Sequence, residues 1–145
     1  MAVKKLILLV EDNPDEEVLT LDAMQRCKGD ASVVVAHDGC EALEYLFAAD
    51  DQVGAGKPRF VIMDLNMPRV DGFDVIARLR ADPRTRPLPV VVFSSSSEGQ
   101  DVRRCNQLGA NSYVMKPVAA EQYREAVSRI VHYWLNLNLD PCLRS

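Results

Sequence analysis

Phe60-Val61-Ile62-Met63-Asp64-Leu65-Asn66-Met67-Pro68 is the stretch that decides the fold. Phe60–Leu65 reads as a strand, and its opening run of apolar residues shows no polar alternation. Such a run belongs in a parallel sheet covered on both faces. The run then meets a carboxylate, Asp64, and breaks into the turn chemistry of Asn66–Gly72. A charge at the end of an apolar run is costly unless it is paired or functional.

The same pattern recurs outward from this point. Lys5–Val10 is a continuous apolar run of strand length. Asn13 then reads as an N-cap, Pro14 as the first helical residue and Glu16 as a capping-box partner, for a helix running up to Cys27. Ser32–Ala36 is a β-branched strand, and Asp38-Gly39 turns the chain into a helix over Cys40–Ala49. Asp50–Pro58 is a loop. Downstream, a helix over Phe73–Arg80 ends at Asp82-Pro83, and Pro89–Phe93 is a fourth strand. Glu98–Leu108 is a helix capped by Gly109. Ser112–Met115 is a fifth strand, closed by Lys116-Pro117, and Ala119–Tyr133 is a final helix. The unit βα thus repeats five times. Right-handed crossovers place helices on both faces of the sheet, and ligands bind at the carboxyl ends of the strands, at the switch point of strand order.

The composition fits one globular domain. The chain has 145 residues, 48% of them hydrophobic and 26% charged, with a net charge of −4. No apolar run approaches the roughly 20 residues that span a bilayer, so a membrane partner is not expected. Residues 1–72 carry 14 acidic against 7 basic side chains, and residues 73–145 carry 7 against 10. An acidic first half suits a cation and repels nucleic acid. Cys27, Cys40, Cys105 and Cys142 include no C-x-x-C pair and read as reduced thiols of a cytoplasmic protein.

The strand ends carry a coherent chemistry. Glu11 and Asp12 follow strand one, Asp64 ends strand three, Ser94 follows strand four and Lys116 follows strand five. Neighbouring carboxylates repel one another until a cation relieves them. All-oxygen ligands with only two histidines in the chain favour Mg²⁺ over zinc. A carboxylate can also act as a nucleophile and form an acyl phosphate. Each residue has a plainer reading: acids at a helix N-terminus favour its dipole, serines cap helices, and a strand-end lysine is usually solvated. That plainer reading is the one taken for Asp15, Glu16 and Glu17. The specificity lies in the joint arrangement.

At these residues the chain resembles the receiver domain of two-component response regulators. The resemblance rests on Leu8-Leu9-Val10-Glu11-Asp12-Asn13, Met63-Asp64-Leu65-Asn66-Met67-Pro68, Asp71-Gly72, Leu88-Pro89-Val90 leading to Ser94, and Tyr113-Val114-Met115-Lys116-Pro117. It implies an α/β, flavodoxin-like, doubly wound sheet of five parallel strands in the order 2-1-3-4-5. It implies a receiver domain over residues 4–135 and a short tail over 136–145.

It further implies that Asp64 accepts a phosphoryl group from a sensor histidine kinase. Glu11, Asp12, Asp64 and the backbone carbonyl of Asn66 hold Mg²⁺, with Glu11 ranked below Asp12 because many relatives carry Asp there. Lys116 pairs with the phosphoryl group, Ser94 and Tyr113 are the switch pair, and Asn66 and Ser96 tune the phosphate lifetime. The Lys116–Pro117 peptide is expected to be cis.

The short tail leaves no room for a DNA-binding output domain, so signalling through the domain's own surface is expected. Val131-His132-Tyr133-Trp134-Leu135 either packs on its own domain or forms a dimer contact through Tyr133 and Trp134. A dimer is expected on the face of helix four, strand five and helix five. This ending, with Asn66–Phe73, resembles stand-alone receivers that serve bacterial phytochrome kinases. The alternatives are a pseudo-receiver that binds partners without being phosphorylated, and a flavodoxin-like FMN carrier. The loop Glu11-Asp12-Asn13-Pro14 would repel the phosphate of FMN. A phosphatase using Asp64 would want a second Asp where Asn66 stands.

Overall fold

A computed structural model describes residues 5–27, 31–48 and 57–141. Five strands and five helices alternate: β1 (Lys5–Val10), α1 (Pro14–Arg26), β2 (Ala31–Ala36), α2 (Gly39–Ala48), β3 (Phe60–Met63), α3 (Gly72–Ala81), β4 (Val90–Ser94), α4 (Gly99–Leu108), β5 (Ser112–Met115) and α5 (Ala120–His132). The strands form one parallel sheet in the order β2-β1-β3-β4-β5, as expected.

Side chains alternate across a strand, and that period sorts the core into two layers. Leu8, Val10, Val61, Met63, Val90 and Val92 pack with Ala42, Val75, Ile76 and Leu79 beneath α2, α3 and α4. Their neighbours Ile7, Leu9, Phe60, Ile62, Val91 and Phe93 pack with Ala23, Met24, Tyr123, Val127 and Ile130 beneath α1 and α5. Every residue of β3 and β4 is buried, which is why their sequences show no polar alternation.

The element limits differ slightly from expectation. β3 stops at Met63 rather than Leu65, and the backbone bends at Leu65. β4 extends to Ser94, so the serine ends the strand rather than following it. Gly109 takes the left-handed conformation (φ 106°) that ends α4. The expected helix over Ala119–Tyr133 ends at His132 and continues as a π-helical turn over Tyr133–Leu137. The Lys116–Pro117 peptide is trans, contrary to the expectation from the resemblance; trans is the ordinary preference of an X–Pro bond by about 0.5–1 kcal/mol. The expected loop over 50–58 and Cys142 lie wholly or largely outside the described residues.

The apolar ending packs on its own domain. Val131 and Leu135 are buried, and Trp134 lies against Phe60 with ring centroids 6.4 Å apart. Tyr133 meets Trp134 edge-on at 5.0 Å and is 47% exposed. No helix among the described residues is long and apolar enough to cross a membrane.

Candidate phosphoryl-transfer site

The sheet ladder continues past the strand ends and fixes the backbone of the site. The Glu11 amide donates to the Ala36 carbonyl (3.0 Å), the Asp64 amide to the Val10 carbonyl (3.2 Å) and the Lys116 amide to the Ser94 carbonyl (2.7 Å). Glu11, Asp64 and Lys116 are thereby each anchored one residue beyond a strand of the sheet.

Their side chains meet. The Lys116 ammonium donates to Glu11 Oε1 (2.8 Å), to Glu16 Oε2 (2.6 Å) and to Asp64 Oδ2 (3.1 Å). Its side chain is 4% exposed, against 2% for Glu11, 12% for Asp64 and 30% for Glu16. An ammonium has three N–H donors, and all three are spent on carboxylates. Burial raises the Glu11 carboxyl above its ordinary value, and this outweighs the hydrogen bond and charge of Lys116 that pull it down. Burial alone would depress the Lys116 ammonium, but its bonds to Glu11 and Glu16 and the charge of Asp64 hold it above the usual lysine range.

The acidic triplet differs from the expected acids in one member, with Glu16 in the place of Asp12. Among the described residues, Glu11, Glu16 and Asp64 bring carboxylate oxygens within 4.8 Å of one another. Asp12 is exposed and lies outside this triplet. By sequence Glu16 reads as an acid of the helix N-terminus, yet its carboxylate crosses to Lys116. The cap explains why it is available. Asn13 Oδ1 accepts from the amides of Asp15 and Glu16, as an N-cap should. The amide of Asn13, which a capping box would pair with Glu16, donates instead to Glu11 Oε2 (3.2 Å). Glu16 is thus released from the cap and taken by the strongest charge nearby. Pro14 at the first helical position fixes where the helix starts, and this was the one sequence signal that could have placed Glu16 beside the strand ends.

Next to this cluster lies the loop after β4. Ser94 is fully buried, and its hydroxyl accepts from the Ser96 amide (3.2 Å). The Tyr113 hydroxyl donates to the Ser96 carbonyl (2.7 Å), and the Ser96 hydroxyl donates to Asp101 Oδ2 (2.7 Å). Ser94, Ser96 and Tyr113 therefore form one hydrogen-bonded unit linking β4, α4 and β5. Asn66 is exposed in the loop after β3. That loop is pinned at Arg69, which adopts φ 67° and pairs with Asp38 at the start of α2.

The donor set suits a hard divalent cation: every candidate ligand is an oxygen, and the cluster already gathers around the Lys116 ammonium. An aspartate carboxylate, a buried ammonium and a buried hydroxyl grouped at the switch point of a parallel sheet are the parts that phosphoryl transfer to an aspartate requires.

Residues 7–128 match the response regulator receiver domain family. The chain is 37% identical over 136 residues, covering 94% of this chain and 87% of the relative, to the probable methanogenesis regulatory protein FilR2 of Methanothrix harundinacea. Its structure resembles that of the phosphorylated cyanobacterial phytochrome response regulator RcpA, with a TM-score of 0.88, 33% identity and coverage of 95% of this chain and 99% of that one. It also resembles the Mn²⁺-bound form of response regulator Rcp1, with a TM-score of 0.86, 28% identity and coverage of 95% and 99%. The chain belongs to the response regulator receiver family, the phosphoryl-accepting partners of histidine kinases in two-component signalling.

Proposed function

We propose that Asp64 is the phosphoacceptor and that the carboxylate cluster on Lys116 is the unphosphorylated state of its site. The observation that carries this reading is the convergence of Asp64 and Glu11 on one buried ammonium at the carboxyl edge of the sheet. An Asp64 carboxylate oxygen attacks the phosphorus of a phosphohistidine. The P–O bond forms as the P–N bond breaks, and the leaving imidazole keeps that electron pair and takes up a proton. Mg²⁺, held by Glu11, Asp12, Asp64 and the carbonyl of Asn66, supplies neutralisation of charge on the transferred group.

The other residues follow from their present partners. Lys116 pairs with the new phosphoryl charge. Ser94 donates its hydroxyl proton to a phosphoryl oxygen. Because the Ser94 hydroxyl is bonded to the Ser96 amide and the Ser96 carbonyl to Tyr113, a movement of Ser94 is passed to Tyr113 on β5. That shifts a two-state equilibrium on the face of α4, β5 and α5.

The kinase is of the phytochrome class in this reading, supported by the likeness to RcpA over nearly the whole length of both chains. The same face carries a homodimer contact. Its support is the edge position of β5 in the sheet and the exposed Met115, Val118 and Tyr133 on β5, after it and at the end of α5. Trp134 contributes by bracing Tyr133 from behind.

Intact mass after incubation with acetyl phosphate tests the central reading. Wild type is expected to gain one hydroxylamine-labile phosphoryl group that depends on Mg²⁺, and Asp64→Asn is expected to gain none. A gain that survives Asp64→Asn places the chemistry elsewhere, and no gain from acetyl phosphate or from a panel of histidine kinases overturns it.

A further inference from the structure

Glu16 is the one member of the cluster to which the proposed reaction assigns no role. A carboxylate there does not accept the phosphoryl group, and it adds negative charge where a dianion must arrive. Yet its bond to Lys116, at 2.6 Å, is the shortest of the three that the ammonium makes. All three Lys116 donors are committed, so a phosphoryl oxygen gains an N–H only in competition with a carboxylate. Glu11 is poorly placed to give way, because it is 2% exposed and water cannot replace its partner. Glu16 is 30% exposed and water can. Its backbone is firmly held: the Glu16 carbonyl accepts from the Thr20 hydroxyl (2.8 Å), which also bonds the Tyr123 hydroxyl of α5 (2.9 Å).

We propose that Glu16 is a positioning residue that acts as a brake, holding the Lys116 ammonium away from the phosphoryl group so that phosphorylation must displace it. The inference rests on the assignment of Asp64 and Lys116 made above. It predicts that losing the Glu16 contact strengthens the phosphorylated state, which is the opposite of what losing a ligand or a structural tie would do.

The probe is beryllofluoride, a non-covalent phosphoryl mimic, titrated in saturating Mg²⁺ and followed by ¹⁹F NMR. Glu16→Ala removes both charge and reach. Glu16→Asp keeps the charge but falls one methylene short of Lys116, and an acid in the first helical turn is well tolerated. Glu16→Ala is expected to bind beryllofluoride about three- to a hundred-fold more tightly than wild type, the range that one unit charge at roughly 6 Å spans between solvent and protein-surface screening. Glu16→Asp is expected to keep at least half of that gain on a logarithmic scale.

Unchanged or weaker binding in Glu16→Ala overturns the brake, as does a Glu16→Asp protein that matches wild type, since repulsion alone then accounts for the effect. Wild type that binds no beryllofluoride, or binds it equally after Asp64→Asn, instead overturns the underlying assignment of Asp64.

Discussion

Replacing Lys116 by Met keeps the length of the side chain and removes the charge that three carboxylates share. Glu11, 2% exposed, would then face Asp64 and Glu16 with no cation. Removing one partner of a buried ion pair ordinarily costs about 3–5 kcal/mol. Here the cost has a ceiling, because the folded protein can escape by protonating Glu11. Protonation costs about 1.36 kcal/mol for each pH unit above the ordinary carboxyl value of 4.5. The ceiling is therefore about 4 kcal/mol at about pH 7.5, about 2 kcal/mol near pH 6, and close to nothing near pH 4.5. The sign follows from linkage. A carboxyl raised in the folded state binds more protons folded than unfolded, so stability falls as the pH rises from the unfolded value to the folded one. Burial already raises Glu11 in the wild type, and losing the ammonium that opposes this raises it further.

Urea unfolding followed by Trp134 fluorescence, at about pH 5, 6 and 7.5 in EDTA, measures the gap between variant and wild type. Of an ordinary folding stability of about 5–15 kcal/mol, the loss leaves a weakened but folded domain. Repeating the series with Mg²⁺ at about 100 times its dissociation constant adds about 2.7 kcal/mol to the variant. A gap under about 1 kcal/mol at about pH 7.5 in EDTA, or one that stays constant across the series, would refute the electrostatic account of the cluster.

Two further outcomes rest on backbone and thiol geometry. A Cβ on Gly72 would lie 2.8 Å from the Asp64 carbonyl oxygen and 2.9 Å from Leu65 Cα, both backbone atoms. Gly72→Ala is therefore expected to cost about 1–3 kcal/mol and to slow loading of Asp64 by acetyl phosphate; an unchanged urea midpoint contradicts this. Burial pushes the Cys105 thiol up to about 11. At about pH 8 Cys105 should react with iodoacetamide roughly 100-fold more slowly in the native protein than after unfolding in urea, as peptide mass mapping would show, and equal rates would mean that α4 opens readily.

The fold was legible in the sequence because the residues that specify it act locally. The unbroken apolar runs of β1, β3 and β4 are buried on both faces, and Asn13, Pro14 and Gly109 set helix ends through their own backbone preferences. Asp64, Glu11, Ser94 and Lys116 were legible for a related reason. In a parallel sheet the residue that ends or follows a strand sits on the ligand-binding edge, so counting strands places them together.

What the sequence left open was which charge pairs with which. Asn13, Glu16 and the helix dipole read as a self-contained capping box, and only the folded chain shows Asn13 turning to Glu11 and Glu16 turning to Lys116. Likewise, only the folded chain shows that Glu11, rather than its neighbour Asp12, is the acid buried against the ammonium. The sequence left Trp134 to pack on its own domain or to join a dimer contact, and only the folded chain shows its ring against Phe60. Sequence by itself determined the order of strands and helices and the chemical groups at the rim, because periodicity and turn chemistry are local properties of the chain. Tertiary structure alone decided the partners of Lys116, because ion pairing depends on distances and burial between residues that lie 52 to 105 positions apart.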